Sequence, residues 1–268
     1  MEATIAGPNR TGSKVSPENT QAMTEAAYEL TPPMPIDTAA SEAERINYIN
    51  ASQPVGSIPP PSTFKGAVKA QITRLKGGEP TIFLDKLGER IAFERGGTRL
   101  YDALLTKYQA LQQSGAPEAL PATLSLALED TDARLEAMGD EEPLETLQRI
   151  RAEELAHFRM LGEAMEQMGG DPTAQTPCAD VIATASMGLI QVVTDPRTTL
   201  AQCLNAILTA ELTDNAGWEM LITLADDAGQ AELSGRFLGA LAQEQMHLAI
   251  VKSWLNHLVS QAVGTPAV

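Results

Sequence analysis

An ordered pattern of glutamate and histidine, present twice, is the strongest constraint on this 268-residue chain. In each half of the chain a lone glutamate precedes a Glu-x-x-His motif. The chain has three histidines, and two of them lie in these motifs. The residues of the pattern are, in chain order, Glu94, Glu154, His157, Glu211, Glu244 and His247. Four separated stretches of the chain are therefore expected to meet at one place.

The spacing within each motif has a structural reason. Residues three apart lie on the same face of a helix, so the Glu and His side chains of Glu-x-x-His point the same way. A lone glutamate on a neighbouring helix adds a further carboxylate. Four carboxylates and two imidazoles are the donor set of a dinuclear carboxylate site inside a four-helix bundle. Mixed oxygen and imidazole ligation suits iron or manganese, so the pattern predicts that these six residues bind two such ions.

A simpler interpretation stays open beside the metal site. It has two Glu/His pairs on helix surfaces and two carboxylates that are buried or paired elsewhere. A second regularity favours the metal site, because Tyr101 follows Glu94 by seven residues and Trp218 follows Glu211 by seven. Glu89 competes with Glu94 as the first lone glutamate, but it lacks this spacing to Tyr101.

Apolar periodicity predicts four long helices and one short helix. The long helices are expected from Pro80 to about Gln113, from Pro143 to Gly169, from about Thr198 to Ala228, and from Gly229 to about Ser260. The short apolar helix is expected over residues 179–193, between the second and third long helices. An up-and-down bundle would need only a short loop there, so this connection predicts a crossover. The pattern over residues 115–142 fits both strand and helix.

The first 78 residues are rich in proline, serine, threonine, alanine and glycine and lack a sustained apolar period. Such a segment is predicted to be a largely irregular, partly disordered arm that can form short helices, for example near residues 38–48. The bundle is then expected over residues 79–262. The arm is either a floppy tail or a segment that wraps a neighbouring subunit or docks into a partner, and the sequence leaves both open.

Charge and cysteine content exclude several classes of function. The formal net charge is −16, and no basic cluster offers a surface for nucleic acid. The two cysteines form no Cys-x-x-Cys pair, so neither a rubredoxin-type iron centre nor a disulfide framework is indicated. Free thiols favour the cytoplasm. The first 14 residues contain no apolar run, and we expect neither a signal peptide nor a membrane partner.

Over residues 80–260 the ordered motifs, with a tyrosine seven residues after the first glutamate, resemble the ferritin-like superfamily. Within it, they are similar to the rubrerythrin-type proteins. The resemblance implies an all-α, ferritin-like four-helix bundle that holds two iron ions, with manganese or a mixed iron–manganese pair as alternatives. It implies that Glu154 and Glu244 bridge the ions and that Glu94 and Glu211 each bind one. Tyr101 and Trp218 would contact the ligands rather than the ions.

The resemblance implies a non-haem di-iron oxidoreductase that reacts with peroxide or dioxygen and takes electrons from an unidentified donor. Rubrerythrins usually carry a cysteine-rich electron-transfer domain, and this sequence contains no such segment. Three alternatives stay open: an oxygenase or oxidase of a small organic substrate, an iron-binding or ferroxidase subunit, and a metal-free interaction bundle. For the oxygenase, Gly96-Gly97 and Gly217 would make room beside the metals. The arm and the apolar connection favour a homodimer or larger homo-oligomer.

Three residues next to the motifs have more specific expectations. Tyr101, the one candidate catalytic residue, would donate a hydrogen bond to a ligand carboxylate, relay an electron, or only pack in the core. Asp214, one turn from Glu211, is a candidate acceptor for the second nitrogen of an imidazole. Glu153 projects about 100° away from Glu154, so we expect it either in solvent or against a metal ligand.

Overall fold

Helices account for all the regular structure in the part of the chain that the structure describes. The structure is a computed structural model that describes residues 16–30, 37–56, 80–115, 120–122 and 141–264. The helices are α1 (Pro17–Leu30), α2 (Ala39–Ala51), α3 (Pro80–Ser114), α4 (Pro143–Gln167), α5 (Pro177–Thr194), α6 (Leu200–Asp227) and α7 (Ala231–Gly264). The all-α prediction is confirmed for these residues.

The chain divides into two compact units, residues 1–55 and 56–268. In the first unit α2 confirms the short helix predicted near residues 38–48, and α1 is a further short helix whose position was not predicted. Neither helix buries a residue. The alanines, glutamates and glutamine of α1 have good intrinsic helix propensity. The expected boundary near residue 78 lies outside the described residues.

The bounds of the long helices in the second unit follow from local capping. Thr199 Oγ1 accepts from the Gln202 amide at 3.2 Å, and Gln202 Oε1 accepts from the Thr199 amide at 2.9 Å, which forms a capping box at the start of α6. Gly169 (φ 88°) and Gly229 (φ 66°) follow the ends of α4 and α6 in the left-handed conformation. The four predicted long helices are confirmed, and α7 continues past Ser260 to Gly264.

The core of the second unit consists of two hydrophobic clusters that lie along the same four helices. The Trp254 cluster includes Leu104, Ile150, Ile207 and Trp254. The Phe237 cluster includes Leu87, Met165, Leu221 and Phe237. Helices α3 and α7 meet the Phe237 cluster first, whereas α4 and α6 meet the Trp254 cluster first. The first pair of helices therefore runs in the opposite direction to the second pair.

Helix α5 returns the chain from one cluster to the other. At its start Thr176 Oγ1 donates to the Asp85 carbonyl at 3.2 Å and the Cys178 amide donates to Asp85 Oδ1 at 2.9 Å. At its end Val193 is buried in the Trp254 cluster. The helix packs along α3 and α6, and it confirms the predicted short apolar helix. Its path allows α6 to run in the same direction as α4.

By length and composition, α5 is also the one described helix that is apolar enough to cross a membrane. Its 18-residue window has a mean hydropathy of 1.3, and 11% of the window is buried. Its exposed apolar side chains are Val181, Met187 and Val192. A single helix of this kind is weak evidence for a membrane span. The expectation that the protein has no membrane partner stays a prediction.

Candidate metal centre

The six residues of the sequence pattern meet between the two hydrophobic clusters. Helices α3 and α6 each contribute one glutamate there, and α4 and α7 each contribute a glutamate and a histidine. All six side chains are buried, none of them more than 3% exposed. The residues are Glu94, Glu154, His157, Glu211, Glu244 and His247. The arrangement is compatible with a metal site, and the identity of the ligands and of the ions stays a prediction.

The donor atoms form overlapping groups, within each of which the atoms lie no more than 4.8 Å apart. One group consists of Glu154, Glu211, Glu244 and His247, and another consists of Glu94, His157 and Glu244. Glu244 belongs to both. Its Oε1 lies 2.6 Å from His157 Nδ1, and its Oε2 lies 3.1 Å from His247 Nδ1. A carboxylate that lies between two imidazoles in this way can contact two cations, one with each oxygen.

Five carboxylate oxygens in the cluster are buried without a hydrogen bond. Those of Asp214 and Glu244 lie against the cationic side chains of Arg90 and His157. The other three are Glu94 Oε2, Glu154 Oε2 and Glu211 Oε2. Burying an unpaired carboxylate is costly, because the charge loses its hydration and gains nothing in return. With Asp214, five buried carboxylates outnumber one buried guanidinium, that of Arg90, and two imidazoles. The donor set and its unpartnered oxygens therefore fit two divalent cations.

Burial and neighbouring charges shift the pKa values in opposite directions across the cluster. Burial raises the pKa of Glu94 and of Glu211 well above the usual value, and the charge of Glu244 raises both further. Burial alone would also raise the pKa of Glu244. The nearby imidazoles of His247 and His157 have the larger effect and lower this pKa to about 2. Burial alone would lower the pKa of His157, yet the contact with Glu244 raises it to about 9. Metal ions must therefore displace protons from this cluster when they bind.

The raised pKa of His157 predicts that the metal-free protein loses stability in alkaline solution. The folded pKa of about 9 lies above the ordinary value of 6.5, so the stabilisation is fully present below pH 6.5. This stabilisation is lost as pH rises through 9. The difference between the two pKa values of His157 corresponds to about 3 kcal/mol in the free energy of unfolding. Urea unfolding of the metal-free protein at pH 6.5 and pH 9.5 measures the loss. His157→Gln should remove most of this pH dependence, whereas His257→Gln, on α7 beside Gln261, should retain it. Equal pH dependence in wild type and His157→Gln would contradict the prediction.

Each imidazole is oriented by the residue that precedes the glutamate of the other motif. His247 Nε2 donates to Glu153 Oε2 at 2.7 Å, and His157 Nε2 donates to Gln243 Oε1 at 2.9 Å. These bonds leave both Nδ1 atoms facing the carboxylates. Of the two expectations for Glu153, the contact with a candidate ligand is confirmed. Gln243 was not expected to contribute, although its position before Glu244 matches that of Glu153 before Glu154.

Two aromatic side chains border the cluster. The Tyr101 hydroxyl donates to Glu211 Oε1 at 2.5 Å, which confirms the hydrogen bond to a candidate ligand. Burial, and then the charge of Glu211, raise the pKa of Tyr101 well above the usual value, so the hydroxyl keeps its proton. Trp218 packs edge-on against His157, with 5.4 Å between ring centroids. Asn215 joins α6 to α7 by donating to the carbonyls of Glu211 and Glu244 at 2.9 and 3.2 Å.

A buried arginine lies beside the cluster, and the sequence analysis missed it. Arg90 is 2% exposed, and its Nη2 donates to Glu94 Oε1 at 2.8 Å. The same nitrogen pairs with Asp214, so the expectation that Asp214 accepts from an imidazole is wrong. The signal in the sequence was the position of Arg90, one turn before Glu94 on the same apolar stripe. Glu89 pairs with Lys86 at 2.5 Å instead, and it belongs to none of the candidate ligand groups.

Comparison with known proteins found no relative. No family model, curated protein or solved structure matches this chain.

Protein side chains occupy the space beside two glycines near the cluster. A Cβ at Gly97 would overlap the Glu154 carboxylate, and a Cβ at Gly217 would overlap the Arg90 guanidinium. Gly96, one residue earlier, has no such neighbour within 4 Å. The room at Gly97 and Gly217 therefore serves Glu154 and Arg90, and it does not support the expected space for an organic substrate.

Proposed function

We propose that α3, α4, α6 and α7 form a ferritin-like four-helix bundle with α5 as its crossover. Support comes from the helix directions, because α4 and α6 run the same way and are joined by a helix that returns along the molecule. A ferritin-like bundle has one such long connection, whereas an up-and-down bundle has none. Each bundle helix would then present its candidate ligands at mid-length, between the two hydrophobic clusters.

The bundle is proposed to bind two transition-metal ions, iron first, with manganese or a mixed pair as alternatives. One observation carries the proposal: six buried donors converge, and each of their four carboxylates has an oxygen without a hydrogen bond. Glu211 and His247 would hold one ion and Glu94 and His157 the other, while Glu154 and Glu244 would lie between them. Carboxylates and imidazoles together suit iron and manganese.

The proposed activity is that of an oxidoreductase acting on peroxide or dioxygen. Two ferrous ions would supply the electrons for reducing either oxidant. The protein would orient the ligands, since Glu153 and Gln243 fix the two imidazoles and the Tyr101 hydroxyl holds Glu211. Tyr101 also keeps a proton at its hydroxyl beside the cluster. The hydrophobic clusters on both sides would limit the entry of water.

The metal-free bundle is the main competing interpretation. A closed core is what an interaction bundle needs, and this cluster is closed to solvent. Unpartnered carboxylate oxygens count against it, because a core without a ligand would gain by replacing them with apolar side chains. An iron-binding or ferroxidase subunit would use the same ligands, and it would differ by forming a hollow assembly that light scattering and electron microscopy can detect.

Elemental analysis of protein purified without added metal tests the proposed function. The wild type is expected to contain about two iron or manganese ions per chain, as in other four-helix bundles with this donor set. Glu154→Ala and His247→Ala should lose the metal. Glu163→Gln is the matched control, because Glu163 lies on the same helix as Glu154 but pairs with Arg236 at the surface. The absence of transition metal before and after reconstitution, with variants as stable as wild type, would overturn the proposal.

The reaction is tested next with anaerobically reduced, metal-loaded protein. Reoxidation by hydrogen peroxide and by dioxygen is followed in stopped-flow absorbance, and the faster oxidant identifies the substrate. Tyr101→Phe removes the hydroxyl that donates to Glu211 while keeping the ring in the core. If Tyr101 only packs in the core, the variant should reoxidise at the wild-type rate. A slower reoxidation with unchanged metal content would assign the hydroxyl a role in the reaction.

A methyl group at Gly97 is expected to impair metal binding. In Gly97→Ala the new Cβ would overlap Glu154 Oε2, so the carboxylate must move from its position 3.5 Å from His247 Nδ1. We expect metal affinity to fall by at least about tenfold, the lower end of the range for disturbed ligand orientation. Isothermal titration with Mn²⁺ measures the loss. Gly96→Ala is the matched control and should keep wild-type affinity, because no such neighbour lies within 4 Å. Equal affinities for the two variants would contradict the prediction.

A further inference from the structure

The two halves of the metal-binding pattern match in sequence, but their surroundings differ. The imidazole partners are the first difference. His247 donates to the carboxylate of Glu153, whereas His157 donates to the neutral amide of Gln243. A carboxylate behind an imidazole increases its basicity and strengthens its bond to a metal ion. An amide fixes the ring orientation without supplying this charge. The partners of the two imidazoles therefore predict tighter binding of the ion at His247.

The groups that hold the two lone glutamates are the second difference. Glu211 Oε1 accepts from the neutral hydroxyl of Tyr101, whereas Glu94 Oε1 accepts from the permanently charged guanidinium of Arg90. The guanidinium withdraws negative charge from Glu94, although it shares its own charge with Asp214. A cation at Glu94 must also lie closer to Arg90 than one at Glu211. The lone glutamates thus favour the same ion position as the imidazole partners.

The number of converging donors is the third difference. Four donors, Glu154, Glu211, Glu244 and His247, lie within 4.8 Å of one another at the first position. Glu94 belongs to one group of three donors, with His157 and Glu244, and to one group of four, in which Asp214 is already paired with Arg90. Without Asp214, three donors are therefore in place at Glu94 in either group. A cation gains more where more donors are already in place, because less reorganisation is needed on binding. This comparison depends on positions, whereas the other two depend on charge. All three differences point in the same direction.

We infer that the two ion positions are inequivalent, and that the position at Glu211 and His247 fills first and holds its ion more tightly. This inference rests on the proposed dimetal function. Glu153 and Gln243 are the positioning residues that set the difference through the imidazoles, and Arg90 adds to it through Glu94. The second ion, at Glu94 and His157, is the one that exchanges with solution. Partial loading therefore enriches the species whose one ion lies at Glu211 and His247.

Titration of the metal-free, full-length protein with Mn²⁺ tests the inference. Calorimetry is expected to resolve two steps, the first at least about tenfold tighter. Electron paramagnetic resonance should show an isolated Mn²⁺ after one equivalent and a coupled pair after two. Glu94→Gln should keep the tight step and lose the weak one. Glu211→Gln should lose the tight step.

The residues behind the imidazoles provide the sharper test, because neither is a proposed ligand. Glu153→Gln should weaken the first step by about tenfold and leave the second step unchanged. The loss of charge leaves Arg149 paired, since it also donates to Glu141 at 3.0 Å. Gln243→Glu should strengthen the second step. The double variant Glu153→Gln/Gln243→Glu exchanges the two partners and should bring the two steps together or reverse their order.

The outcomes separate this inference from the proposed function. Two equal steps in the wild type, or equal effects of Glu153→Gln on both steps, would overturn the inequivalence and leave the dimetal site intact. No binding of Mn²⁺ by folded wild-type protein would overturn the proposed function itself. Circular dichroism checks that each variant is folded. If Glu153→Gln does not fold, Gln243→Glu tests the second step on its own, and an unchanged second step would count against the inference.

Discussion

Replacing Glu244 with glutamine is expected to abolish the binding of both proposed metal ions. Glu244 contacts both imidazoles, with Oε1 2.6 Å from His157 Nδ1 and Oε2 3.1 Å from His247 Nδ1. Glutamine keeps the shape but loses the charge, and its NH₂ group cannot serve as a ligand. We expect affinity for each ion to fall by more than about 100-fold, beyond the range seen when an outer partner of a ligand is lost.

Elemental analysis and Mn²⁺ titration measure this loss. Glu163→Gln is again the control, because it makes the same chemical change at a side chain that is 66% exposed. Retention of one tight ion in Glu244→Gln would show that Glu244 serves a single position and would contradict the shared role. Retention of both ions would exclude Glu244 as a ligand. Circular dichroism of the metal-free variant separates lost ligation from lost folding.

The fold of the second unit could be predicted largely from the sequence because its signals are local. Proline at the first turn, a Thr199–Gln202 capping box and left-handed glycines bound the long helices within a few residues. Helix α1 begins at Pro17, which is a local signal of the same kind, but its position was not predicted. It buries no residue, so no packed apolar face marks its extent as one does for the long helices.

The candidate site was predictable in its six principal residues because their spacing is dictated by helix geometry. The contacts of the residues around these six were harder to predict. Asp214 lies one turn from Glu211 as expected, but the sequence does not reveal that Arg90, on another helix, reaches Asp214. Whether a polar residue on an apolar stripe pairs with a metal, an imidazole or a guanidinium depends on contacts between helices. Those contacts are set by packing that no local pattern records.

Replacing Arg90 with leucine is expected to destabilise the metal-free protein by about 3–5 kcal/mol, the range for breaking a buried ion pair at one partner. The change leaves Glu94 and Asp214 facing each other in the core without the guanidinium that both contact. It also removes the cation that lies 4.6 Å from the centre of the Phe93 ring. Urea unfolding of the metal-free variant at pH 7 measures the loss. Arg236→Leu breaks a more exposed pair with Glu163 and should cost less than about 1 kcal/mol.

The double variant Arg90→Leu/Asp214→Leu separates the loss of the ion pair from the loss of packing. Removing both partners leaves no unpaired charge at Asp214, so the double variant should be more stable than Arg90→Leu alone. A double variant less stable than the single would show that the unpaired Asp214 carboxylate is not what destabilises Arg90→Leu. If the ion-pair account holds, metal should rescue Arg90→Leu, because a divalent cation at Glu94 replaces the missing positive charge. Binding to the folded state stabilises it by an amount that grows with metal concentration, so the Tm of Arg90→Leu should rise more steeply with Mn²⁺ than that of the wild type.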